Sequence, residues 1–298
     1  MYKLHHLVTF QAVHRTGSFA LAARELDYTP SAVSQQIAAL ERECGLVLFE
    51  RQAQGVRATA AADQVAELSR PLLAGAEEFG RRVRALAAGR GSRLVLGSFP
   101  TASVQLVPAA LTAFGSRCPH SEITLEEGEP EELIEGVADG GLDLALVYEY
   151  GLCPRTWSPN LTVRALTREG LFLLEAPGGG PGQDRIERLR DRHWITSREG
   201  TAGALSLTRL CASAGFEPRV LHRSNDYDVV RELVIATGAV AVVPELGHTA
   251  DDRIAATRIT RHRAHRTVLV AYRTGNVNPL IGEFLDALQQ VVPGWADR

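Results

Sequence analysis

The feature that most constrains the fold is a pair of short helical patterns separated by only three residues. Apolar residues recur at helical spacing over 19–26 and again over 33–40, with "DYT" between the two patterns. Ser18 and Thr29 are placed to cap the first and second of these helices, and Pro30 stands at the first position of the second, where the missing N–H costs nothing. Two helices joined by so short a turn predict a helix-turn-helix.

The polar side of the second helix is uncharged, which is unusual for a surface that only faces water. Its first turns have Ser31, Ser34, Gln35 and Gln36. The second helix of a helix-turn-helix lies in the major groove of DNA, where its first residues meet base edges. Serine and glutamine can donate and accept hydrogen bonds there. Alone, such a run is more often a solvated surface, but its position after the turn favours base contacts by Ser31, Ser34 and Gln35.

A basic hairpin is predicted after this helix. The stretch "RQAQGVR" surrounds Gly55 and includes Arg51 and Arg57. Beside a recognition helix such a hairpin is a wing, whose arginines lie near phosphates or in the minor groove. The alternative is two surface arginines of little individual value. The predicted DNA-binding set is Ser18, Thr29, Pro30, Ser31, Ser34, Gln35, Gln36, Arg51 and Arg57.

This region resembles the DNA-binding part of LysR-type transcriptional regulators. The resemblance rests on "GSFALAARELDYTPSAVSQQIAALERECGLVLFER" and on Thr59, which follow the family pattern without a gap. Two positions depart from the pattern. Cys44 replaces the usual leucine, and we expect a small buried apolar side chain there. Ala60–Ala62 replaces the usual Glu-Ala-Gly, so we expect the next helix to be capped differently.

Residues 59–88 form a long helical pattern with an apolar residue at every seventh position. The repeating positions are Val65, Leu72, Phe79 and Leu86, a stripe wide enough for a partner helix. The family resemblance implies an antiparallel linker-helix dimer that places two recognition helices on successive major grooves, with two dimers forming a tetramer. Pro71 lies inside the pattern and predicts a kink. The stretch "AAGRGSR" (87–93) is predicted to be a hinge.

From Leu94 onward, strands and helices alternate. The order strand, helix, strand, helix, strand over 93–148, with the first helix over 103–119, predicts a parallel sheet, and a second such series follows from 170. The words "EEGEPEELIEGVADGGLDLAL" and "ATGAVAVVPE" resemble the effector-binding part of the same family, which implies a two-lobed, periplasmic-binding-protein-like α/β domain. The predicted domains are an all-α winged helix-turn-helix (1–58), a long linker helix (59–90) and an effector domain (91–298). In the last, lobe I comprises about 92–162 and 267–298, and lobe II about 163–266.

A ligand in an open α/β sheet binds beyond the C-terminal ends of the strands. Hydroxyls and helix amides after the first strand could hold a carboxylate or phosphate, and Arg198 could pair with an anion. Each feature has a plainer interpretation, as a helix cap or a surface residue. Acidic residues near 127–129 would discourage a polyanion. The predicted effector-binding set is Ser98, Phe99, Thr101, Ala102, Ser103, Glu127, Thr196, Ser197, Arg198 and Tyr227.

Composition excludes several classes of function. A net charge of −3 argues against a general polyanion binder, although it permits a local DNA site. The four cysteines have no CxxC spacing, which favours free thiols. "HRAH" (262–265) matches no complete metal-ligand set, and "PGGGPG" lacks the lysine of a P-loop. We find no signal peptide and no apolar run long enough for a membrane span, so we expect a cytoplasmic protein without metal or cofactor.

Cys211 lies where peroxide-sensing members of the family have one of two redox cysteines. Their reactive cysteine corresponds to Ala202, which argues against a disulfide switch.

The leading hypothesis is a ligand-responsive, sequence-specific regulator that binds double-stranded promoter DNA. Its small-molecule effector is unidentified, and a carboxylate metabolite is one candidate. Two rivals are a small-molecule binding module whose helix-turn-helix contacts only proteins, and an enzyme built on the two-lobed domain. No local spacing supports a pairing of nucleophile and base, so we predict that the chain is not an enzyme. Specific binding of promoter DNA would separate the first hypothesis from both rivals.

Overall fold

A computed structural model of the chain describes residues 2–52, 55–87, 93–177, 186–260 and 263–296. Side chains of residues 51, 81–82, 84–87 and 293–296 fall outside this description. Contacts divide the chain into two compact units. The N-terminal unit comprises Met1–Gly91 with Glu135–Leu142, and the C-terminal unit comprises Ser92–Ile134 with Asp143–Arg298.

The N-terminal unit is a helical domain with a two-stranded hairpin. Its elements are α1 (Leu4–Thr16), α2 (Phe19–Glu25), α3 (Pro30–Cys44), β1 (Phe49–Gln52), β2 (Gly55–Ala58) and α4 (Ala60–Ala87). The apolar stripes of all four helices meet the hairpin in one core. It includes Phe10, Val13, Ala22, Ala23, Val33, Ile37, Leu40, Leu48, Phe49, Ala62 and Ala66. The helix-turn-helix and wing predicted from the sequence are confirmed.

Local sequence explains where these helices begin and end. The Ser18 and Thr29 hydroxyls accept the backbone N–H groups of Leu21 and Ala32, so both predicted N-caps are confirmed. Gly17 ends α1 at φ +63°, a left-handed conformation that glycine adopts without a steric penalty. The turn between α2 and α3 contains Asp27 at φ +54°, a conformation that aspartate tolerates better than most residues.

Helix α4 continues without interruption from Ala60 to Ala87 through Pro71. The proline therefore does not end the helix, and the bend expected at that point stays a prediction. The Thr59 hydroxyl accepts the N–H of Ala62 at 3.2 Å and caps the helix. The Gln11 side chain of α1 donates to Ala66 O and to Ser69 Oγ, each at 2.8 Å. The first turns of the linker helix are thus part of the N-terminal core.

The C-terminal unit is built on a twisted α/β sheet. Its strands are β3 (Arg93–Ser98), β4 (Glu122–Glu127), β5 (Leu144–Tyr150), β6 (Leu161–Glu175), β7 (His193–Thr196), β8 (Arg219–Arg223), β9 (Val240–Pro244), β10 (Ala255–Ile259) and β11 (His265–Arg273). Its helices are α5 (Pro100–Gln105), α6 (Val107–Arg117), α7 (Pro130–Asp139), α8 (Ala202–Ser213), α9 (Tyr227–Thr237) and α10 (Leu280–Ala296). Short 3₁₀ turns cover Ile186–Leu189 and Glu245–Gly247.

One strand, β6, is shared between the two lobes of this unit. The strand order is β4-β3-β5-β11-β6-β9-β7-β8, with β10 paired to β6. As predicted, β3 lies parallel to β4 and β5, and β7 lies parallel to β8 and β9. The partner of β6 changes from β11 to β9 between Gly170 and Leu171. We call the β4-β3-β5-β11 side lobe I and the β9-β7-β8 side lobe II.

The sequence-based assignment was wrong in three places. The helix expected over 103–119 is two helices, because Pro108 has no N–H to continue the hydrogen bonding of α5. Strand β6 begins at Leu161, well before the predicted 170, and β10 was missed. Most of the predicted hinge (87–93) and of the loop "PGGGPGQ" lies outside the described residues. Within the described ranges, no helix is both long enough and apolar enough to cross a bilayer.

Candidate functional site

The first two turns of α3 present an uncharged, largely exposed surface. We call Thr29, Pro30, Ser31, Ser34 and Gln35 the recognition surface. Thr29, Pro30, Ser31 and Gln35 are exposed, and Ser34 is half-buried. Ser31 and Gln35 are four positions apart and so lie on one side of the helix. The Thr29 and Ser31 hydroxyls are 3.0 Å apart, so each fixes the other's orientation.

Gln36 does not belong to this surface. Its Oε1 accepts the hydroxyl of the fully buried Thr9 on α1 at 2.5 Å. Successive residues on a helix are rotated by about 100°, which turns Gln36 away from Gln35 and toward α1. Ser34 faces a groove of about 110 Å³ between α3 and the hairpin, which Phe19 and Phe49 also line.

The hairpin is tied to the helices by backbone contacts. Val56 N–H donates to Gly17 O at 3.0 Å, and a Cβ added at Gly55 would lie 2.7 Å from that oxygen. Only glycine fits at this close approach. On the strand, Arg57 forms an exposed ion pair with Glu50 at 2.7 Å. The side chain of Arg51 lies outside the described residues.

Glu41 joins α3 to the hairpin, a role that sequence analysis did not identify. Its Oε1 accepts the N–H groups of Leu48 at 2.7 Å and Phe49 at 3.2 Å. Both donors stand at the entry to β1, and both residues are buried. The only signal in the sequence was a carboxylate on the core-facing side of a helix, shortly before an apolar strand. Glu41 therefore fixes the wing relative to the recognition surface.

Helix α4 has an exposed apolar stripe on one side, which begins at Leu68. Leu68 is 72%, Leu72 58%, Phe79 70% and Val83 46% exposed. These four side chains, which we call the linker stripe, fall within about 60° of one another at helical spacing. Val65 was predicted to be part of this stripe, but it is half-buried against the N-terminal core. The side chain of Leu86 lies outside the described residues.

A narrow cleft separates the two lobes of the C-terminal unit. Its interior offers about 20 Å³ to the centre of a water molecule, which is room for about one or two waters. The cleft is lined by Phe99, Pro100, Thr101, Glu129, Tyr148, Ser197, Thr201, Asn225, Tyr227 and Arg266.

A buried ion pair lies at the floor of the cleft. Arg266 Nε donates to Glu169 Oε1 at 2.5 Å, and Arg266 NH2 donates to Thr101 Oγ1 at 2.9 Å. Leu246 N–H donates to Glu169 Oε2 at 2.7 Å, so both carboxylate oxygens accept hydrogen bonds. Arg266 is only 1% exposed, and its guanidinium carbon lies 4.7 Å from the ring centroid of Tyr148. Burial opposes the charged form of Arg266, but the Glu169 carboxylate outweighs it and raises the pKa of Arg266 above its usual range.

Glu129 bridges the two lobes at the side of the cleft. Tyr148 of lobe I donates its hydroxyl to Glu129 Oε2 at 2.9 Å. Asn225 of lobe II donates Nδ2 to Glu129 Oε1 at 2.7 Å. Burial is the main cause that raises the pKa of Tyr148, and the neighbouring Tyr150 and Glu129 raise it further. This hydroxyl therefore stays protonated and can donate. Burial likewise raises the pKa of Tyr227 well above its usual range.

The structure places the predicted effector residues unevenly. Phe99, Thr101, Ser197 and Tyr227 line the cleft. The others do not line it. Ser98, Ala102 and Thr196 are buried, Ser103 donates to Phe99 O, and Glu127 and Arg198 are exposed.

Arg198 takes part in the cleft only through its backbone. Its N–H donates to Asn225 Oδ1 at 2.9 Å and orients that side chain, whereas an ion pair between its guanidinium and a ligand was the expected role.

Sequence analysis missed Arg266 and its partner Glu169, although strand periodicity could have found both. Glu129 lies in the acidic stretch 127–129, which sequence analysis did place near the ligand. Arg266 shares a strand face with Val268 and Val270, and Glu169 shares one with Leu171 and Leu173. A charge in register with buried apolar residues predicts a buried ion pair. Asn225 and Glu129 belong to turns, where no such periodicity exists.

Other chemistry finds little support. Within the described ranges, no three His, Cys, Asp or Glu side chains converge as metal ligands would. Cys44, Cys118, Cys153 and Cys211 are free thiols. Cys44 is half-buried against the core, so the expected burial is only partial. Burial raises the pKa of Cys211 to about 12, which makes it a poor nucleophile at neutral pH.

Comparison with protein families matches both parts of the chain. Residues 4–63 match the model described as "Bacterial regulatory helix-turn-helix protein, lysR family". Residues 87–293 match the model described as "LysR substrate binding domain".

Individual relatives and solved structures agree with these families. The "Small neutral protease regulatory protein" of Streptomyces coelicolor is 33% identical over 81% of this chain and 73% of its own length. The "HTH-type transcriptional regulator ClcR" of Pseudomonas putida is 30% identical over 94% of this chain and 95% of its own length. The crystal structure of full-length CbnR with its target DNA is 26% identical, covers 97% of this chain and 100% of CbnR, and has a TM-score of 0.58. Full-length OxyR from Pseudomonas aeruginosa has a TM-score of 0.62 at 21% identity, covers 97% of this chain and 95% of its own, and shows a shared fold.

Proposed function

The chain belongs to the LysR family of bacterial transcriptional regulators, and on that basis we propose that it binds promoter DNA sequence-specifically in response to a small-molecule effector. Its relatives named above are regulators, and we propose that this chain likewise has no enzymatic activity. A role on the chromosome would place it in the cytoplasm.

The recognition surface is the observation that carries the DNA-binding proposal. Ser31 and Gln35 are exposed on one side of a capped helix that follows a tight turn, and they have no role in the core. Ser34 completes the base-contacting group, while Ser18, Thr29 and the first amides of α2 and α3 hold phosphates. Gln36 positions α3 against α1. Arg51 and Arg57 on the hairpin contact the DNA backbone beside the groove.

We propose that the cleft between the lobes is the effector site. Its lining combines aromatic rings with hydroxyl, amide and charged groups that could orient a small molecule. Since the cleft has space for about one or two waters, a ligand must separate the lobes to enter. A ligand that binds one arrangement of the lobes better than the other shifts their equilibrium, which is the signal passed to the DNA-binding domains.

A gel-shift assay with DNA from next to the protein's own gene tests the DNA-binding proposal. Gln35→Ala should weaken specific binding by about 10-fold to 100-fold, because a good contact to a base edge is worth about 1–3 kcal/mol. Gln64→Ala is the matched control, since Gln64 is exposed on α4 outside the recognition surface. Wild-type protein that shifts no such fragment, with or without metabolites, would contradict the function. Equal affinity for wild type and Gln35→Ala would contradict only this residue's role.

We also propose that the linker stripe forms the dimer contact. Burying one phenylalanine side chain is worth about 1.5–3 kcal/mol, and a symmetric dimer buries two. Phe79→Glu should therefore shift sedimentation from dimer or tetramer toward monomer at micromolar concentration. Glu77→Ala, on the opposite side of α4, should leave the distribution unchanged. A Phe79→Glu protein that sediments like wild type would exclude the stripe as the dimer contact.

A further inference from the structure

We propose that the effector has a protonated amine and that this ammonium group pairs with Glu129. The inference rests on the proposed role of the cleft as the effector site and adds the chemical class of its ligand. It departs from the carboxylate candidate drawn from the sequence, which rested on Arg198 and on the hydroxyls and helix amides after the first strand; the Arg198 side chain does not line the cleft.

The cation at the cleft is already neutralised by a carboxylate. Arg266 uses Nε for Glu169 and NH2 for Thr101, and it is 1% exposed. Phe99 and Tyr148 lie against it, with ring centroids 5.0 and 4.7 Å from the guanidinium carbon. An anion at Arg266 would compete with Glu169 for the same cation, and a buried carboxylate that loses its cation is costly. The pair is therefore neutral as a unit.

Glu129 is the formal charge that remains in the cleft. Its two oxygens accept from a tyrosine hydroxyl and an asparagine amide, which are both neutral donors. Among the residues that the structure describes, no Lys, Arg or His forms an ion pair with it. A carboxylate with only neutral partners gains from a cation, because a charge-assisted hydrogen bond is about twice as strong as a neutral one.

Aromatic rings also line the cleft. Phe99 and Tyr148 already lie against the guanidinium of Arg266, and Tyr227 lines the same cleft. The face of an aromatic ring attracts a cation, so Tyr227 is the ring that we assign to the ammonium group. The hydroxyls of Thr101 and Ser197 remain to orient the rest of the ligand.

A ligand that binds Glu129 can replace the hydrogen bond between Glu129 and Asn225. Asn225 belongs to lobe II, whereas Glu129 follows the last strand residue of β4 in lobe I. An ammonium donor that takes the place of Asn225 Nδ2 satisfies Glu129 and releases the contact between the lobes. Binding of an amine and separation of the lobes are then the same event.

Titration calorimetry on the full-length protein with two charge-reversed pairs of probes tests this inference. The pairs are phenethylamine with 3-phenylpropanoate, and butylamine with pentanoate. Wild type should bind at least one amine about 10-fold or more tightly than its paired acid. Glu129→Gln keeps two hydrogen-bonding groups but removes the charge, and it should weaken amine binding by about 10-fold to 100-fold.

Two further variants separate charge from structural damage. Asn225→Asp keeps the oxygen that accepts Arg198 N–H, replaces the competing donor with a second carboxylate, and should tighten amine binding. A residue that only held the fold would not give opposite changes in these two variants. Glu126→Gln, exposed on β4, should bind like wild type.

The inference is overturned if wild type prefers the acids, if it binds neither amine, or if Glu129→Gln binds amines as tightly as wild type. The DNA-binding function is judged separately, by the gel shift of the same protein without probe. Failure here with a normal gel shift would remove only the ligand class.

Discussion

The recognition surface and the effector cleft are assembled in opposite ways. The recognition surface comes from residues 29–35, on one capped helix, and its side chains face solvent without charge. The cleft draws on segments as distant as Thr101 and Arg266, and its floor is a buried ion pair. In the first region, the functional side chains lie on the surface and are not part of the hydrophobic core. In the second, the functional groups are part of the core itself.

This difference predicts how each region responds to substitution. Exposed polar residues contribute little to stability, so changes on the recognition surface should alter DNA binding and leave folding intact. Substitution of either residue of the ion pair at the cleft floor leaves the other buried charge without its partner. The predictions that follow test this contrast, beginning with the largest expected effect.

Arg266→Met should destabilise the C-terminal unit by about 3–5 kcal/mol, because Glu169 would remain buried without its cation. All three tryptophans lie beyond residue 150, so tryptophan fluorescence during urea unfolding reports on this unit alone. Arg219→Met is the control, since Arg219 forms an ion pair with Asp191 that is exposed on both sides and should change the midpoint little.

The double variant Arg266→Met, Glu169→Leu sharpens the test. It removes both charges and should be more stable than Arg266→Met, because no unpaired group is left in the core. Arg266→Met and Glu169→Leu are also measured singly. If their two losses of stability add up to the loss in the double variant, the two residues are not coupled, and the contrast between the two regions fails.

Sequence predicted the recognition surface well because its rules are local. The N-caps at Ser18 and Thr29, the buried stripe of Val33, Ile37 and Leu40, and the hairpin around Gly55 all follow from spacing along one segment. The rotation of about 100° per helical residue, applied to each position, would have removed Gln36 from the predicted set. This rotation turns Gln36 toward α1.

The cleft was predicted only in part, because its geometry depends on pairings across the sheet. Phe99 and Thr101 were found at the end of a predicted strand, where ligands are expected. Arg266 lay in a basic stretch that suggested only surface, and nothing local linked it to Glu169. Sequence analysis placed the acidic stretch 127–129 near the ligand but named only Glu127 in the effector-binding set, because the end of β4 could not be fixed to one residue from sequence.

Glu41 lies between these two extremes, since it is a buried contact that supports an exposed surface. Glu41→Ala should leave the N–H groups of Leu48 and Phe49 without a partner, at a cost of about 1–3 kcal/mol. Hydrogen exchange of peptides covering 46–58 should become faster, and specific DNA affinity should fall.

Glu41→Gln keeps an acceptor oxygen and should recover most of the protection of those amides. Glu43→Ala, an exposed change on the same helix, should have no effect on either measurement. Unchanged exchange in Glu41→Ala would mean that the wing is held by the Gly17 contact and the apolar core alone.

The smallest effect is expected at Arg57, on the outside of the wing. Its ion pair with Glu50 is exposed on both sides, and such pairs are worth about 0–1 kcal/mol, so Arg57→Gln should barely alter unfolding. If Arg57 contacts phosphate, the variant should weaken binding equally to specific and nonspecific DNA and reduce the slope of log affinity against log salt by about 1. Gel shifts over a salt series measure both quantities. A loss confined to the specific site would instead make Arg57 a reader of bases or groove shape, and the division between a neutral base-contacting helix and a cationic backbone-contacting wing would no longer hold.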